Sequence, residues 1–320
     1  MKLIVRRVFL AAGLALAVAP AFGQAPDKPP DQLLAFFFRP EPGSTFACQV
    51  SEVEKSSGGT DGSVYRRWRY ILTVALGEPD GETWPATLTI SDVTVQDGKD
   101  FPLYLTVARI AEGLPVAVRL DRRGGFVQGV VDWPTVKAKL KRALADRVPR
   151  EDALLVPEIL DRTDATQGSG VIGRALALIS GGYAMGFRAD GSPVTVQNWQ
   201  GGSAYILPAG RTLSSHFAGH DRAKGLIAVD WSIATDPVAA ARHIGPEIRS
   251  LLSAGSGRDV AKARGELDKA LASGGVTLKE SGQVVYSRQR RIISRYASTL
   301  EVEVGPFRKE RATLAELISP

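Results

Sequence analysis

Residues 63–76 read SVYRRWRYILTVAL, and residues 84–96 read WPATLTISDVTVQ. In the first stretch Val64, Trp68, Tyr70, Leu72, Val74 and Leu76 share one parity; in the second Trp84, Ala86, Leu88 and Ile90 do, opposite Thr87, Thr89 and Ser91. A repeat of two is that of an extended chain with one face in a core, whereas the apolar positions of an amphipathic helix recur every three or four residues. Gly77 to Gly81 supplies the turn between the two stretches. Upstream, Phe46, Cys48 and Val50 alternate along 45–55, and Gly58, Gly59, Asp61 and Gly62 mark a second turn. The three segments predict an antiparallel meander.

Outward from it, residues 103–110 form an apolar stretch whose length suits helix or strand equally. Residues 114–120 and 126–131 flank Asp121 to Gly125, a hairpin signal because its glycines take positive φ readily. The period then changes: Val136, Leu140, Leu144 and Val148 recur every fourth residue behind Pro134, which predicts a helix. Further helical pieces are expected near 151–161 and 171–179. Strands are expected near 183–188, 193–198, 204–207 and 225–233. Asp236-Pro237 opens a helix that Gly245-Pro246 breaks, and a last helix spans 258–272. Strands return near 276–280, 283–288, 291–304 and 307–317. This order predicts an α+β domain over 44–320, a mainly antiparallel curved sheet of half-barrel form with several helices packed on one face. The tripeptides Val131-Asp132-Trp133 and Val229-Asp230-Trp231, each read as ending a strand before a helix, suggest a pseudo-repeat with halves 44–165 and 166–320.

The N-terminus reads as a cleavable signal peptide over residues 1–23. Lys2, Arg6 and Arg7 precede an apolar run, Val8 to Pro20, too short to span a bilayer, and Ala21 and Gly23 are small residues suited to cleavage before Gln24. The expected product is soluble and periplasmic or secreted, with no transmembrane segment after cleavage. Residues 24–43, with five prolines, form an arm expected to pack through Phe36, Phe37 and Phe38. The 40 Lys plus Arg, less the three in the signal, stand against 34 Asp plus Glu and leave a net charge of +3. That balance and export both argue against nucleic acid as a partner. A single cysteine forms no internal disulfide, and Cys48 shares the apolar face of its strand, so it is read as a core residue.

Few residues suggest chemistry. Gly168, Gly170 and Gly173 spell G-x-G-x-x-G with Asp190 downstream, but no strand precedes them, so the pattern is read as a glycine-rich start to a buried helix. His216, His220 and Asp221 lie within six residues, a spacing that serves a metal when a helix aligns it; here Ser214, Ser215 and Gly219 predict a loop. There is no G-x-S-x-G elbow or S-x-x-K, and no catalytic set emerges. Arginines accompany aromatics twice on predicted strands, in Tyr65-Arg66-Arg67-Trp68-Arg69-Tyr70 and in Arg288, Arg290, Arg291, Arg295 and Tyr296. Such pairs either grip phosphates and acidic sugars or form solvent-facing ladders with glutamates.

The order of elements, above all the hairpin-rich segments Asp121 to Trp133 and Glu280 to Leu317, resembles the periplasmic lipoprotein carriers of the Lol type and related half-barrel lipid-binding proteins. The resemblance implies a sheet whose apolar face holds a lipid. The sequence reading is therefore a non-enzymatic exported protein, without a cofactor, that binds an apolar or amphiphilic ligand or an envelope protein partner. The candidate ligand-binding residues are Trp68, Tyr70, Trp84, Arg66 and Arg69. The alternatives are a hydrolase or metal-dependent enzyme using His216, His220 and Asp221, and a structural interaction module.

Overall fold

The computed structural model describes residues 33–59, 62–97, 103–147, 160–161, 174–199, 210–242, 265–266, 268–272, 275–305 and 307–318. The signal peptide, the G-x-G-x-x-G segment, the strand expected at 204–207, Gly245-Pro246 and most of the helices expected at 151–161 and 258–272 lie outside these residues. Among those described, no helix is long and apolar enough to cross a membrane.

The predicted meander forms as β2 (Thr45–Gly59), β3 (Gly62–Leu76) and β4 (Thr83–Asp97). It continues through α1 (Leu103–Ala111) into a hairpin of β5 (Val116–Asp121) and β6 (Val127–Val130), then α2 (Trp133–Arg147). The hairpin turn holds because the Asp121 carboxylate accepts from the Arg123 and Gly124 N–H groups, while Gly125 takes φ +64. A side chain at Gly125 would meet the Phe38 ring at 2.9 Å, so glycine meets both a conformational and a packing demand there. In α2 the predicted four-residue repeat is realised, with Val136, Leu140 and Leu144 buried beside Trp133.

After α3 (Arg174–Gly181) and a short 3-10 turn at Gly182–Ala184 come β7 (Gly186–Arg188) and β8 (Val194–Gln197). Then follow β9 (Arg211–Asp221), β10 (Leu226–Thr235), β11 (Val276–Ser287), β12 (Ile292–Val304) and β13 (Phe307–Ile318). Eleven strands make one open, wholly antiparallel curved sheet in the order β6-β5-β4-β3-β2-β13-β12-β11-β10-β9-β8. A separate two-stranded piece pairs β1 (Leu33–Ala35) with β7. The α+β class and the mainly antiparallel sheet are as the sequence predicts. The β13–β2 pairing joins the two ends of the chain at the centre of the sheet.

Five local expectations are corrected. Residues 211–221 are strand rather than loop, because Arg211, Leu213 and Ser215 turn inward and Thr212, Ser214 and His216 outward, an alternation that polar inward residues hide. The segment 276–287 is one strand through Ser281-Gly282, not two. Arg288, Arg290 and Arg291 occupy the β11–β12 turn instead of a strand, with Arg291 at φ 55. Of the arm's phenylalanines, Phe36 and Phe38 are buried but Phe37 is 49% exposed. Val229-Asp230-Trp231 lies inside β10, unlike Val131-Asp132-Trp133, which leads from β6 into α2.

One core cluster runs under the sheet and takes in α2, α3 and the arm. Phe36 stacks on Tyr286 at 4.7 Å and tilts against Phe187 at 5.0 Å; Phe38 meets Tyr183 edge-on at 5.6 Å and Trp84 at 6.2 Å. The Ile293 N–H donates to the buried Tyr183 hydroxyl at 2.7 Å, tying the 3-10 turn to β12. Tyr183→Phe leaves that N–H without its acceptor, and we expect urea denaturation to show a loss of about 1–3 kcal/mol.

Candidate functional site

The inner face of the sheet changes character from one row to the next. In an antiparallel sheet, directly opposed residues project to the same side, so the register defines rows that cross the strands. One row runs Tyr70, Val50, Ala315, Tyr296, Val284, Val229, and beside it lie Cys48 and Leu72. All of these are buried. Burial pushes the Cys48 thiol up to about 12, so at neutral pH it is a protonated core side chain.

The next row is mixed: Trp68, Glu52, Thr313, Ser298, Gly282, Trp231, Ser215. After it comes a charged row: Arg66, Glu54, Arg311, Leu300, Glu280, Ile233, Leu213. Glu54 sits between two arginines because its strand neighbours in register are Arg66 and Arg311. Its carboxylate receives Arg66 at 2.9 Å, Arg311 at 3.1 Å and Lys309 at 3.0 Å, with the Glu54 side chain 2% exposed. Burial pushes this carboxyl up, but Lys309, Arg311 and Arg66 together outweigh burial and hold it well below the usual carboxylate range. Further along, burial lowers the Arg211 guanidinium, with the charge of Glu280 pulling it back up.

Of the candidate ligand-binding residues, Arg66, Trp68 and Tyr70 stand in successive rows of β3 on the inner face. Trp84 is on the inner face too, but on β4 against Leu120 and Phe38. Arg69 points to the outer face and donates to Thr94 there, so it does not join the others. Sequence reasoning missed Glu52, Glu54, Arg211, Glu280 and Arg311, all buried. The parity of Cys48 and Val50 extends to Glu52 and Glu54, and that was the available signal.

Trp231 packs on Tyr296 with ring centroids 5.9 Å apart, and its buried indole N–H has no acceptor among the described residues. The same holds for the Trp84 indole. A buried indole N–H ordinarily finds an acceptor, so each is a donor available to a ligand oxygen.

The histidines fall elsewhere. A β-bulge between Ala228 and Val229 of β10 shifts the register on β9. His216 therefore opposes Asp230 on the outer face, while His220 opposes Ile227, whose side chain packs on the core. The bulge turns the two imidazoles to opposite faces, and His216 Nε2 lies 3.6 Å from Asp230 instead. Asp221 caps its own turn by accepting from the Lys224 N–H. No cluster of three His, Cys, Asp or Glu suited to a metal occurs among the described residues. Asp190, the acid downstream of the glycine motif, is likewise occupied in a local turn with Ser192.

Fold and site together define an open eleven-stranded antiparallel sheet whose buried face passes from apolar to charged. No family model and no curated protein matches the chain. Among solved structures, lipovitellin, described for its lipid–protein interactions, is similar with a TM-score of 0.42 and 11% identity over 88% of this chain. The chain spans 26% of that lipovitellin chain's length.

Proposed function

We propose that this is an exported, non-enzymatic protein that binds an amphiphilic ligand between the sheet and the elements that cover its inner face. The observation that carries this reading is the succession of rows. The row from Tyr70 to Val229 is apolar, as acyl chains require, and the adjoining residues Trp231, Ser298, Thr313, Glu54 and Arg311 are polar, as a head requires. Buried charges cost several kcal/mol each unless they are paired, and here Arg66, Arg311 and Lys309 hold Glu54, so the polar end of the face is an ordered set of charges beside the apolar row. The available Trp231 donor lies between the two zones, where a ligand's ester or hydroxyl oxygen would stand. Export, with cleavage after Gly23, supplies the compartment in which such a ligand meets the protein, and an envelope protein would receive it.

Native mass spectrometry on protein purified without detergent, followed by organic extraction, tests the reading. A stoichiometric lipid or other amphiphile released on denaturation is the expected result. Protein that is empty when isolated, and that takes up no fatty acid or phospholipid from vesicles, would refute it.

A further inference from the structure

At one end of the sheet the arm, the β9–β10 turn and the β11–β12 turn are bound into a single surface. The Arg39 N–H donates to the Arg291 carbonyl at 3.1 Å, the Arg288 N–H to the Gly225 carbonyl at 2.9 Å, and the Tyr286 hydroxyl to the Phe37 carbonyl at 3.1 Å. These contacts place six exposed cations together: Arg39, Arg222, Lys224, Arg288, Arg290 and Arg291. Among the described residues only Lys224 of the six has a carboxylate partner, Asp221 at 3.9 Å. Asp221 and, beyond Arg39, Glu41 are the acids of the same three segments. Within this charge Phe37 is 49% exposed, and further back along the same arm Leu34 is 47% exposed, two of the few large apolar side chains at the surface among the described residues. Arg39 lies over the Phe37 ring at 5.1 Å.

We propose that this end of the sheet docks on the face of a bilayer containing anionic lipid. Exposed arginines drawn to a negative surface, with an aromatic side chain among them and an aliphatic one on the same arm to enter the headgroup boundary, are the two components of reversible membrane attachment. Arginine suits phosphate through its paired donors, and five of the six cations are arginine. A soluble polyanion or an acidic protein would use the charge but has no use for a solvent-exposed Phe37 and Leu34. The proposal does not depend on the inner face holding a ligand, since none of these side chains belongs to that face.

Co-sedimentation of the protein with sucrose-loaded vesicles tests it. Vesicles with about 30% phosphatidylglycerol in phosphatidylcholine should bind at least about tenfold more strongly than pure phosphatidylcholine, and binding should fall away by about 0.5 M salt. Replacing Arg288→Glu, Arg290→Glu and Arg291→Glu together should weaken binding by about tenfold or more. Phe37→Ser should weaken vesicle binding by about threefold while leaving retention on heparin unchanged, since only the membrane offers an apolar layer. If the triple variant melts lower than wild type, Arg290→Glu alone, an exposed turn position, carries the charge arm of the test with about a threefold loss. Equal binding to neutral and anionic vesicles, or charge variants that bind like wild type, would overturn the proposal. So would a Phe37→Ser variant indistinguishable on vesicles, which would assign the patch to a soluble polyanion.

Discussion

Glu54→Gln lowers the stability of the folded chain by about 3–5 kcal/mol, because it removes the carboxylate from between three buried or half-buried cations while leaving those cations in place. For a chain of this size that corresponds to a fall in melting temperature on the order of 10 °C. The direct cross-strand register of Arg66 and Arg311 with Glu54 means that the next acid on the same face, Glu52, reaches the gap only if β2 slips two residues and breaks its pairing with both β3 and β13. The same group sets a pH dependence whose sign is fixed. The Glu54 carboxyl titrates lower in the folded chain than in the unfolded one, so its contribution is complete above about pH 4.5 and is lost as the pH falls below that. Thermal melts between about pH 6 and pH 3 should show wild type losing more stability on acidification than Glu54→Gln. Parallel slopes for the two proteins would show that the Glu54 cluster is not what binds protons on unfolding.

Gly282→Ala is the second large effect. Gly282 opposes Trp231 on one side and Ser298 on the other, within the mixed row. A methyl group there would lie 1.9 Å from the Ala297 carbonyl oxygen and 2.9 Å from the Ser298 Cα. Those are backbone atoms of the adjacent strand, so relief requires β12 to move away from β11 and the row to open. Overpacking of this kind costs about 3 kcal/mol or more. The expected outcome is a variant that expresses poorly or melts far below wild type, with Trp231 fluorescence shifted to the red. An unaltered melt would mean that β12 does not close over Gly282 as described.

The meander was legible because its alternation is carried by large side chains. Trp68, Leu72 and Val74 on β3 and Trp84, Leu88 and Ile90 on β4 are all buried, as their parity requires. The same rule failed where inward positions are polar. β9 presents Arg211 and Ser215 to the interior, and hydrophobic periodicity cannot see a strand whose buried face is part arginine and part serine. Ser281-Gly282 carried the signature of a turn, since glycine in a strand usually marks a break or a bulge; here it marks a close backbone approach. The charged row was hidden for a related reason. Arg66 sits between Val64 and Trp68 in parity, yet an arginine among aromatics is ordinarily assigned to solvent, and only the partner strand β2 brings it a carboxylate, which β13 shares through Arg311. Those partners lie 12 residues away for Glu54 and Arg66 and 257 residues away for Glu54 and Arg311. No local pattern holds that second pairing. His216 and His220 fail as a pair for a reason that is also non-local, a bulge specified by the pairing of β9 with β10.

Photo-cross-linking with a fatty acid that carries a diazirine along its chain, followed by peptide mapping of the labelled protein, tests an inner-face ligand site most directly. Binding on the inner face predicts saturable labelling, displaced by unlabelled fatty acid, in peptides of β10 to β12 that contain Val229, Val284 and Tyr296. Labelling confined to the arm around Leu34 and Phe37, or labelling that rises without saturation, would contradict an inner-face ligand site.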